Sequence, residues 1–164
     1  MINIVLIEPE IPQNTGNIAR TCAALGATLH LVEPLGFNID EKSVKRAGLD
    51  YWSMVSIYTY PSSNDFFERH DPKKMYYCST KAQKNYCDID YSAIDGDIWL
   101  VFGKETKGLD ENLLHDNYER CIRIPMINGA RSLNLSNAVA IIAYDVARQL
   151  DFFGLEKNGH LTKF

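Results

Sequence analysis

The sequence contains little cysteine and no long apolar run. Its four cysteines form no C-x-x-C pair, so we expect reduced, mostly buried thiols and no disulfide framework. The N-terminal segment has no basic stretch, and its apolar run extends only from Ile4 to Ile7, which is not typical of a signal peptide. No apolar run approaches the ~18 residues that a membrane span requires. We therefore expect a cytoplasmic protein that has no membrane partner.

Metal-ligand spacing and an excess of positive charge are also absent. The histidines, His30, His70, His115 and His160, are scattered along the chain, and we expect no metal site. With 17 Lys and Arg residues against 21 Asp and Glu residues, the formal net charge is −4. A nucleic-acid partner must therefore bind local basic patches rather than the overall charge of the protein.

Two common nucleotide-binding motifs are missing as well. The segment from Gly103 to Gly108 resembles a P-loop, G-x-x-x-x-G-K-[ST], but Leu109 and Asp110 stand where the lysine and the hydroxyl residue are needed. There is also no G-x-G-x-x-G, so the sequence favours neither a P-loop NTPase nor a Rossmann dinucleotide site. The two glycines still predict a tight turn whose backbone lies close to a ligand.

What the sequence does contain is an alternation of strand and helix patterns. We predict strands at Asn3–Ile7, Thr28–Val32, Val55–Tyr60, Lys74–Cys78, Asp97–Phe102 and Ile122–Met126. We predict helices from Asn14 or Thr15 to Gly26, over Asp40–Ala47, from Ser62 or Ser63 to Arg69, and from a mouth of Ser132, Asn134 and Ser136 to Leu150. The segment Ala82–Gly96 is expected to be an irregular loop.

This alternation predicts an α/β fold with a mostly parallel sheet and helices on both faces. The length of 164 residues favours one domain. We expect that domain to cover residues 1–150, followed by a C-terminal tail over 151–164 with a mobile end. The last helix is apolar nearly all round, with Ile141 and Tyr144 outside its main stripe, so part of its surface is a candidate subunit interface.

Three polar, glycine-bearing loops follow strands of this predicted sheet. They are Gln13–Asn17, Gly103–Gly108 and Ile127–Ser132. In open α/β sheets ligands bind outside the carboxyl ends of the strands, where helix N-termini offer free backbone N–H groups. The residues alone therefore predict a site for a polar small molecule. An ordinary strand–loop–helix unit with a capped helix is the alternative for the last loop, and a surface charge is the alternative for Arg20.

Three segments of the chain resemble the motifs of the SPOUT class of RNA methyltransferases. They read PQNTGNIARTCAALGATLHLVEPLGF, LVFGKETKGLD and IRIPMINGARSLNLSNAVAIIAYDVARQ. The resemblance is strongest to the small, single-domain branch, the tRNA (cytidine/uridine-34) 2′-O-methyltransferases, and it runs from Met1 to about Gln149.

The resemblance implies a fold, a cofactor and a partner that the residue pattern alone does not give. It implies a deep trefoil knot near the C-terminus, S-adenosyl-L-methionine as the cofactor, and a homodimer whose subunits build the site together. The implied substrate is the ribose 2′-hydroxyl of the wobble nucleotide in tRNA, in leucine isoacceptors. Two alternatives stay open: methylation of another tRNA position or of rRNA, and a non-catalytic RNA-binding protein that keeps the knot.

The resemblance also implies roles for individual residues by motif position. Cofactor contacts are expected from Cys78, Gly103, Gly108, Ile124, Met126, Ser132 and Leu133. Catalytic positions are expected at Asn14, Arg20, Glu105, Asn134 and Tyr144. In the family an arginine is proposed to take the hydroxyl proton. Because the pKa of arginine lies above ~12, we expect Arg20 instead to bind a phosphate or hydroxyl and to stabilise developing negative charge.

The second motif departs from the family pattern FGPETRGLP. Lys104, Lys107 and Asp110 replace its Pro, Arg and Pro, and a lysine lacks the planar bidentate contact of an arginine, which weakens the case for a phosphate clamp at Lys107. We predict that the RNA surface is assembled across two subunits from Lys42, Lys45, Arg46, Lys81, Lys84, Lys104, Lys107 and Arg131.

Overall fold

A parallel β-sheet forms the centre of the structure, a computed structural model that describes residues 1–38 and 54–163. In these residues seven strands form one sheet in the order β3-β2-β1-β6-β4-β7-β5, and every pairing is parallel. The strands are β1 (Ile2–Ile7), β2 (Thr28–Val32), β3 (Ile57–Tyr60), β4 (Met75–Cys78), β5 (Lys84–Asn85), β6 (Ile98–Phe102) and β7 (Cys121–Arg123). The predicted parallel sheet is confirmed.

Helices pack on both faces of this sheet, as predicted. They are α1 (Pro12–Leu25), α2 (Ser63–Arg69), α3 (Glu111–Asp116) and α4 (Leu135–Gln149). Short 3₁₀ turns cover Pro72–Lys74, Tyr86–Asp88, Tyr91–Ala93 and Tyr118–Arg120. Within the described residues, no helix is long and apolar enough to cross a membrane.

The core consists of two layers because successive strand residues point to opposite faces. Ile4 and Leu6 of β1 pack in one layer with Ile18 of α1 and Ile142 of α4. The intervening Val5 packs in the other layer with the side chains of α2 and α3, such as Phe66 and Leu114. All six residues of β1 are buried, which explains why its sequence is apolar except for Asn3.

The start of α1 differs from the prediction, because the segment Gln13–Asn17 that was expected to be a loop belongs to this helix. The helix begins at Pro12, with Ile11 as its N-cap residue, and no side-chain hydrogen bond of the N-cap residue caps it. The fixed φ of proline suits the first helical position, so neither Asn14 nor Thr15 is the cap. The end at Gly26 is confirmed, with φ of 62°, a left-handed conformation that glycine adopts without strain.

Other predicted boundaries also need correction. β7 ends at Arg123 rather than Met126. The segment Ala82–Gly96 is not wholly irregular, since it contains β5 and two 3₁₀ turns. Helix α3 was not predicted, although Asp110 caps it by accepting from the backbone N–H groups of Asn112 and Leu113. The predicted helix Asp40–Ala47 lies outside the described residues.

The chain after α4 continues into a hydrogen-bonded turn. The N–H of Phe152 donates to the carbonyl of Ala147 at 2.7 Å, and the N–H of Leu155 donates to the carbonyl of Phe152 at 2.9 Å. The division into a domain of residues 1–150 and a tail of residues 151–164 stays a prediction.

Candidate functional site

A cavity of about 710 Å³ lies at the carboxyl ends of β4, β6 and β7. Its walls include Cys78 at the end of β4 and residues 103–109 after β6. They also include residues 122–124 and 126, in β7 and just after it, and residues 131–135, which lead into α4. Its volume falls within the range of about 300–1,000 Å³ that is usual for small-molecule sites. The position agrees with the rule for ligand sites in parallel sheets.

The residues expected to contact the cofactor all line this cavity. They are Cys78, Gly103, Gly108, Ile124, Met126, Ser132 and Leu133. Burial raises the pKa of the Cys78 thiol well above its usual range, and the neighbouring Cys121 adds to this effect. Cys78 is therefore a neutral, weakly polar part of the wall. The structure brings these residues together, and their cofactor roles stay predictions.

Two glycines shape the loop after β6, one by close backbone contact and the other by its positive φ. A Cβ placed on Gly103 would lie 2.1 Å from the carbonyl carbon of Gly108 and 2.3 Å from the nitrogen of Leu109. Gly108 has a φ of +71°, and its N–H donates to the carbonyl of Lys104 at 2.8 Å. The loop thus folds back on itself, and the cavity meets bare backbone at Gly103.

Four polar side chains connect the start of α1, the loop after β6 and the start of α4 beside the cavity. Asn14 of α1 donates from Nδ2 to Oε1 of Glu105 at 2.9 Å, and its Oδ1 accepts from Nδ2 of Asn134 at 2.9 Å. Asn134 is the N-cap of α4, and its Oδ1 accepts from the backbone N–H of Ser136 at 2.9 Å and from the Ser136 hydroxyl at 2.7 Å. This hydrogen-bond chain holds the loops at fixed separations.

The groups at its two ends set the direction of the hydrogen-bond chain. A carboxylate only accepts and a backbone N–H only donates. Glu105 must therefore accept a hydrogen bond from Nδ2 of Asn14. The Oδ1 of Asn14 is then free to accept from Asn134. The backbone N–H of Ser136 donates to Oδ1 of Asn134. The Nδ2 of Asn134 therefore donates to Asn14. Each asparagine acts as both donor and acceptor, which aspartate cannot do.

A second set of contacts joins the loop before α1 to the loop after β6. Glu105 accepts from the backbone N–H groups of Glu10 at 2.8 Å and Ile11 at 3.3 Å, so it satisfies free N–H groups next to the start of α1. In return, Glu10 accepts from the N–H and the hydroxyl of Thr106, each at 3.0 Å. The Thr106 hydroxyl and N–H lower the pKa of Glu10.

Lys104 adds an ion pair with Glu8 to these loop contacts. Sequence reasoning missed the roles of Glu8, Glu10 and Thr106. The only signal was charge complementarity between the acidic segment before α1 and the lysine that replaces the family's proline. That signal becomes specific only once the two loops are known to be neighbours.

Two of the expected catalytic residues do not line the cavity. Arg20 lies on the exposed side of α1, and Tyr144 of α4 is 43% exposed. Neither belongs to the cavity wall, whereas Asn14, Glu105 and Asn134 do. The structure therefore brings together three of the five predicted catalytic residues at the cavity.

Positive side chains outnumber negative ones in the cavity wall. It contains Lys81, Lys104, Lys107, Arg123 and Arg131, with Glu105 as the one carboxylate among the described residues that line it. The predicted RNA surface is less free than expected, because Lys81 pairs with Glu111, Lys84 with Glu119, and Lys104 with Glu8. Lys42, Lys45 and Arg46 lie outside the described residues.

No metal centre accompanies the cavity in the described part of the chain, where no group of three or more His, Cys, Asp or Glu side chains is placed to hold an ion. A parallel sheet with a polar cavity over its carboxyl ends defines a class of ligand-binding α/β proteins. Within that class, the chain belongs to the SpoU rRNA Methylase family, whose model matches residues 1–144. The resemblance carried by the three motifs is thus confirmed.

Named relatives and solved structures agree with this assignment. The chain is 46% identical over 155 residues to a tRNA (cytidine(34)-2′-O)-methyltransferase of Saccharophagus degradans, covering 94% of this chain and 99% of the relative. A structure described as giving insights into the 2-OH methylation of C/U34 on tRNA superimposes with a TM-score of 0.83, at 41% identity, covering 93% of this chain and 97% of the other.

The cofactor of a more distant member is visible in a third comparison. The SpoU methyltransferase AviRb of Streptomyces viridochromogenes, in complex with the cofactor AdoMet, superimposes with a TM-score of 0.78 at 25% identity. The superposition covers 91% of this chain and 57% of AviRb.

Proposed function

We propose that this protein transfers the methyl group of S-adenosyl-L-methionine to the ribose 2′-hydroxyl of the wobble nucleotide, C or U, in tRNA. The observation that carries the proposal is the cavity of about 710 Å³ beside which Asn14 of α1, Glu105 of the loop after β6 and Asn134 before α4 are joined by hydrogen bonds. The relatives named for position 34 support the substrate. We further propose leucine isoacceptors as the substrates and the cytoplasm as the location.

The residues of the cavity fit this cofactor. Gly103 presents backbone without a side chain to the cavity, and the side chains of Cys78, Ile124, Met126 and Leu133 offer an apolar wall for a flat ring. When bound, S-adenosylmethionine supplies an electrophilic methyl group. The chain's own task is to align the hydroxyl with that group, a contribution of up to ~7–11 kcal/mol in ideal cases.

The remaining task concerns the proton and the developing charge on the hydroxyl oxygen. Proton handling contributes roughly 10²–10⁴ in rate. We assign Arg20 to the electrostatic part of this task. A guanidinium keeps its positive charge, so it is well suited to stabilise an oxyanion and poorly suited to accept a proton. Glu105 and the two asparagines hold the loops on which the cofactor and the substrate meet.

The exposed positions of Arg20 and Tyr144 support a site completed by a second subunit. Both lie outside the cavity of their own chain, and α4 also exposes Ile141, at 38%. We therefore propose a homodimer in which Arg20 and Tyr144 of one subunit reach the cavity of the other. A deep trefoil knot through the C-terminal part of the chain completes the proposed architecture and rests on the resemblance to the family.

The test is transfer of labelled methyl from S-adenosylmethionine to bulk tRNA from cells that lack this protein, followed by nucleoside mapping. Label in 2′-O-methylcytidine or 2′-O-methyluridine at position 34 is the expected result. The family model is named for rRNA, so label in rRNA or at another tRNA position, with none at position 34, would move the target. Cofactor binding with no transfer to any RNA would favour the non-catalytic alternative.

A further inference from the structure

A second, smaller cavity of about 350 Å³ adjoins the main one. The two cavities share the wall residues Thr80, Arg123, Met126 and Ser132, and the loop 127–130 closes the smaller one. A ligand in the larger cavity can therefore extend one end into the smaller cavity.

Arg123 is the one charged side chain among the described residues that line the smaller cavity. It ends β7 and is partly buried. Across residues 1–38 and 54–163, no hydrogen bond, ion pair or ring contact involves its guanidinium, whereas Lys81 and Lys104 in the larger cavity each have a carboxylate partner. A charge that is partly removed from water without a partner costs free energy, which an anion in this cavity would offset.

We propose that Arg123 binds the carboxylate at the amino-acid end of S-adenosylmethionine in the smaller cavity, while the adenosyl part occupies the larger one. This inference rests on the proposed function. The carboxylate is the only anionic group of that cofactor, and a guanidinium binds carboxylates through two parallel hydrogen bonds. The Thr80 side chain lies in the same wall and offers a hydroxyl donor.

An RNA phosphate is the alternative anionic ligand for Arg123. Lys107 and Arg131 also line the larger cavity, but they are exposed, whereas Arg123 is partly buried between the two cavities. Exposed cations suit a large polyanion at the surface, whereas a partly buried arginine that lines both cavities suits a small carboxylate. The structure therefore favours the cofactor carboxylate.

The test compares two ligands by calorimetry, S-adenosylhomocysteine and its decarboxylated form, S-adenosyl-3-thiopropylamine. The wild-type protein is expected to bind S-adenosylhomocysteine about tenfold or more tightly than the decarboxylated form. Arg123→Gln should remove this preference by weakening S-adenosylhomocysteine binding alone, and Arg123→Lys should keep part of it. The matched control is Arg120→Gln, since Arg120 is also partly buried but lies over the Tyr76 ring at 5.4 Å and lines neither cavity.

Several outcomes would overturn the inference. They are equal wild-type affinity for the two ligands, equal weakening of both ligands by Arg123→Gln, and weaker tRNA binding with unchanged affinity for S-adenosylhomocysteine. The wild-type comparison needs no variant, so it decides the matter even if Arg123→Gln fails to fold. If the wild-type protein binds neither ligand, the proposed function fails together with the inference. Binding of both without preference removes the inference alone.

Discussion

At the scale of single residues, Asn14 has the most closely defined role. Its amide donates to Glu105 and accepts from Asn134, with both distances at 2.9 Å, and the residue is 4% exposed. Asn14→Asp keeps the shape but removes the donor and places a second carboxylate against Glu105. We expect the free energy of unfolding to fall by about 1–3 kcal/mol. The rate of methyl transfer should fall by a larger fraction of its wild-type value than the free energy of unfolding does.

The control for this change is Asn17→Asp on the same helix. Asn17 is exposed, so the new charge meets the same helix N-terminus without a carboxylate neighbour. Urea unfolding and labelled-methyl transfer measure the two effects. If Asn14→Asp and Asn17→Asp behaved alike in both assays, the hydrogen-bond chain would have no special importance.

His30 supplies a second prediction at the residue scale. Its Nε2 bonds Oδ1 of Asn3 at 3.1 Å, and its Nδ1 bonds the Tyr60 hydroxyl at 2.9 Å, which in turn bonds Nε2 of His70 at 3.1 Å. Burial, with a smaller contribution from His70, lowers the pKa of His30 to about 4. The folded protein therefore holds a neutral imidazole at pH 7.

The sign of the pH dependence follows from this lowered pKa. An unfolded chain has a histidine pKa of about 6.5, so between pH 4 and that value the unfolded state binds more protons and stability falls as pH falls. We expect His30 to contribute a loss of about 2 kcal/mol in unfolding free energy between pH 7 and pH 5. Urea titrations at both pH values measure it. If a His30→Gln variant lost as much unfolding free energy between pH 7 and pH 5 as the wild type does, the assignment to His30 would be contradicted.

At the scale of elements, the sequence predicted the strands better than the contacts between loops. The strands β1, β2 and β6 are mainly apolar, and such runs mark strands that are covered on both faces. β5 has two residues and no apolar run, so no periodicity was available to reveal it. Likewise, α3 has only six residues, too few for a helical pattern.

Some features of the candidate site could likewise be predicted from local sequence, and others could not. Its glycines, asparagines and serines could be identified because these residues interrupt strand and helix patterns locally. The bonds from Glu105 to Glu10 and Ile11 connect positions 95 and 94 residues apart, and no local pattern contains that information. The positions of Arg20 and Tyr144 outside their own cavity also depend on tertiary packing, which the motifs do not specify.

The loop after β6 carries the prediction that belongs to this scale. Gly103→Ala would place a Cβ 2.1 Å from backbone that cannot move aside as a side chain can. We expect the loop to shift, with at least a tenfold loss of S-adenosylhomocysteine affinity, because overpacking displaces the backbone that borders the cavity. Calorimetry and thermal unfolding together measure the change.

A glycine outside the cavity wall serves as the comparison. Gly26 also needs its special conformation, with φ of 62°, but nothing lies within 4 Å of an added Cβ. Gly26→Ala should therefore cost about 1 kcal/mol of stability and leave ligand affinity unchanged. Equal loss of affinity in both variants would show that general destabilisation, and not the close approach at Gly103, weakens binding.

At the scale of the whole molecule, the central question is whether each site needs two subunits. Arg20→Ala alone should reduce methyl transfer by more than about 10²-fold, as expected for loss of an electrostatic contact to developing charge, and should leave S-adenosylhomocysteine affinity nearly unchanged. Equal loss of transfer and affinity would instead make Arg20 structural. In the proposed homodimer both subunits would carry this change, so a different design is needed to identify the subunit that supplies the arginine.

A heterodimer of one Arg20→Ala subunit and one Glu105→Gln subunit separates the two possibilities. If Arg20 acts across the interface, one site loses both residues and the other keeps both, so the purified heterodimer should show about half of the wild-type activity. If Arg20 acts within its own subunit, each site lacks one residue and activity should stay at the level of the single variants. The reciprocal heterodimer, wild type with the double variant Arg20→Ala/Glu105→Gln, should then give the opposite results, inactive for a shared site and half-active for an independent one. Purification through two different tags ensures that each measurement reports heterodimers alone. Failure to isolate any dimer would contradict the shared site directly, because Arg20 would have no second cavity to reach.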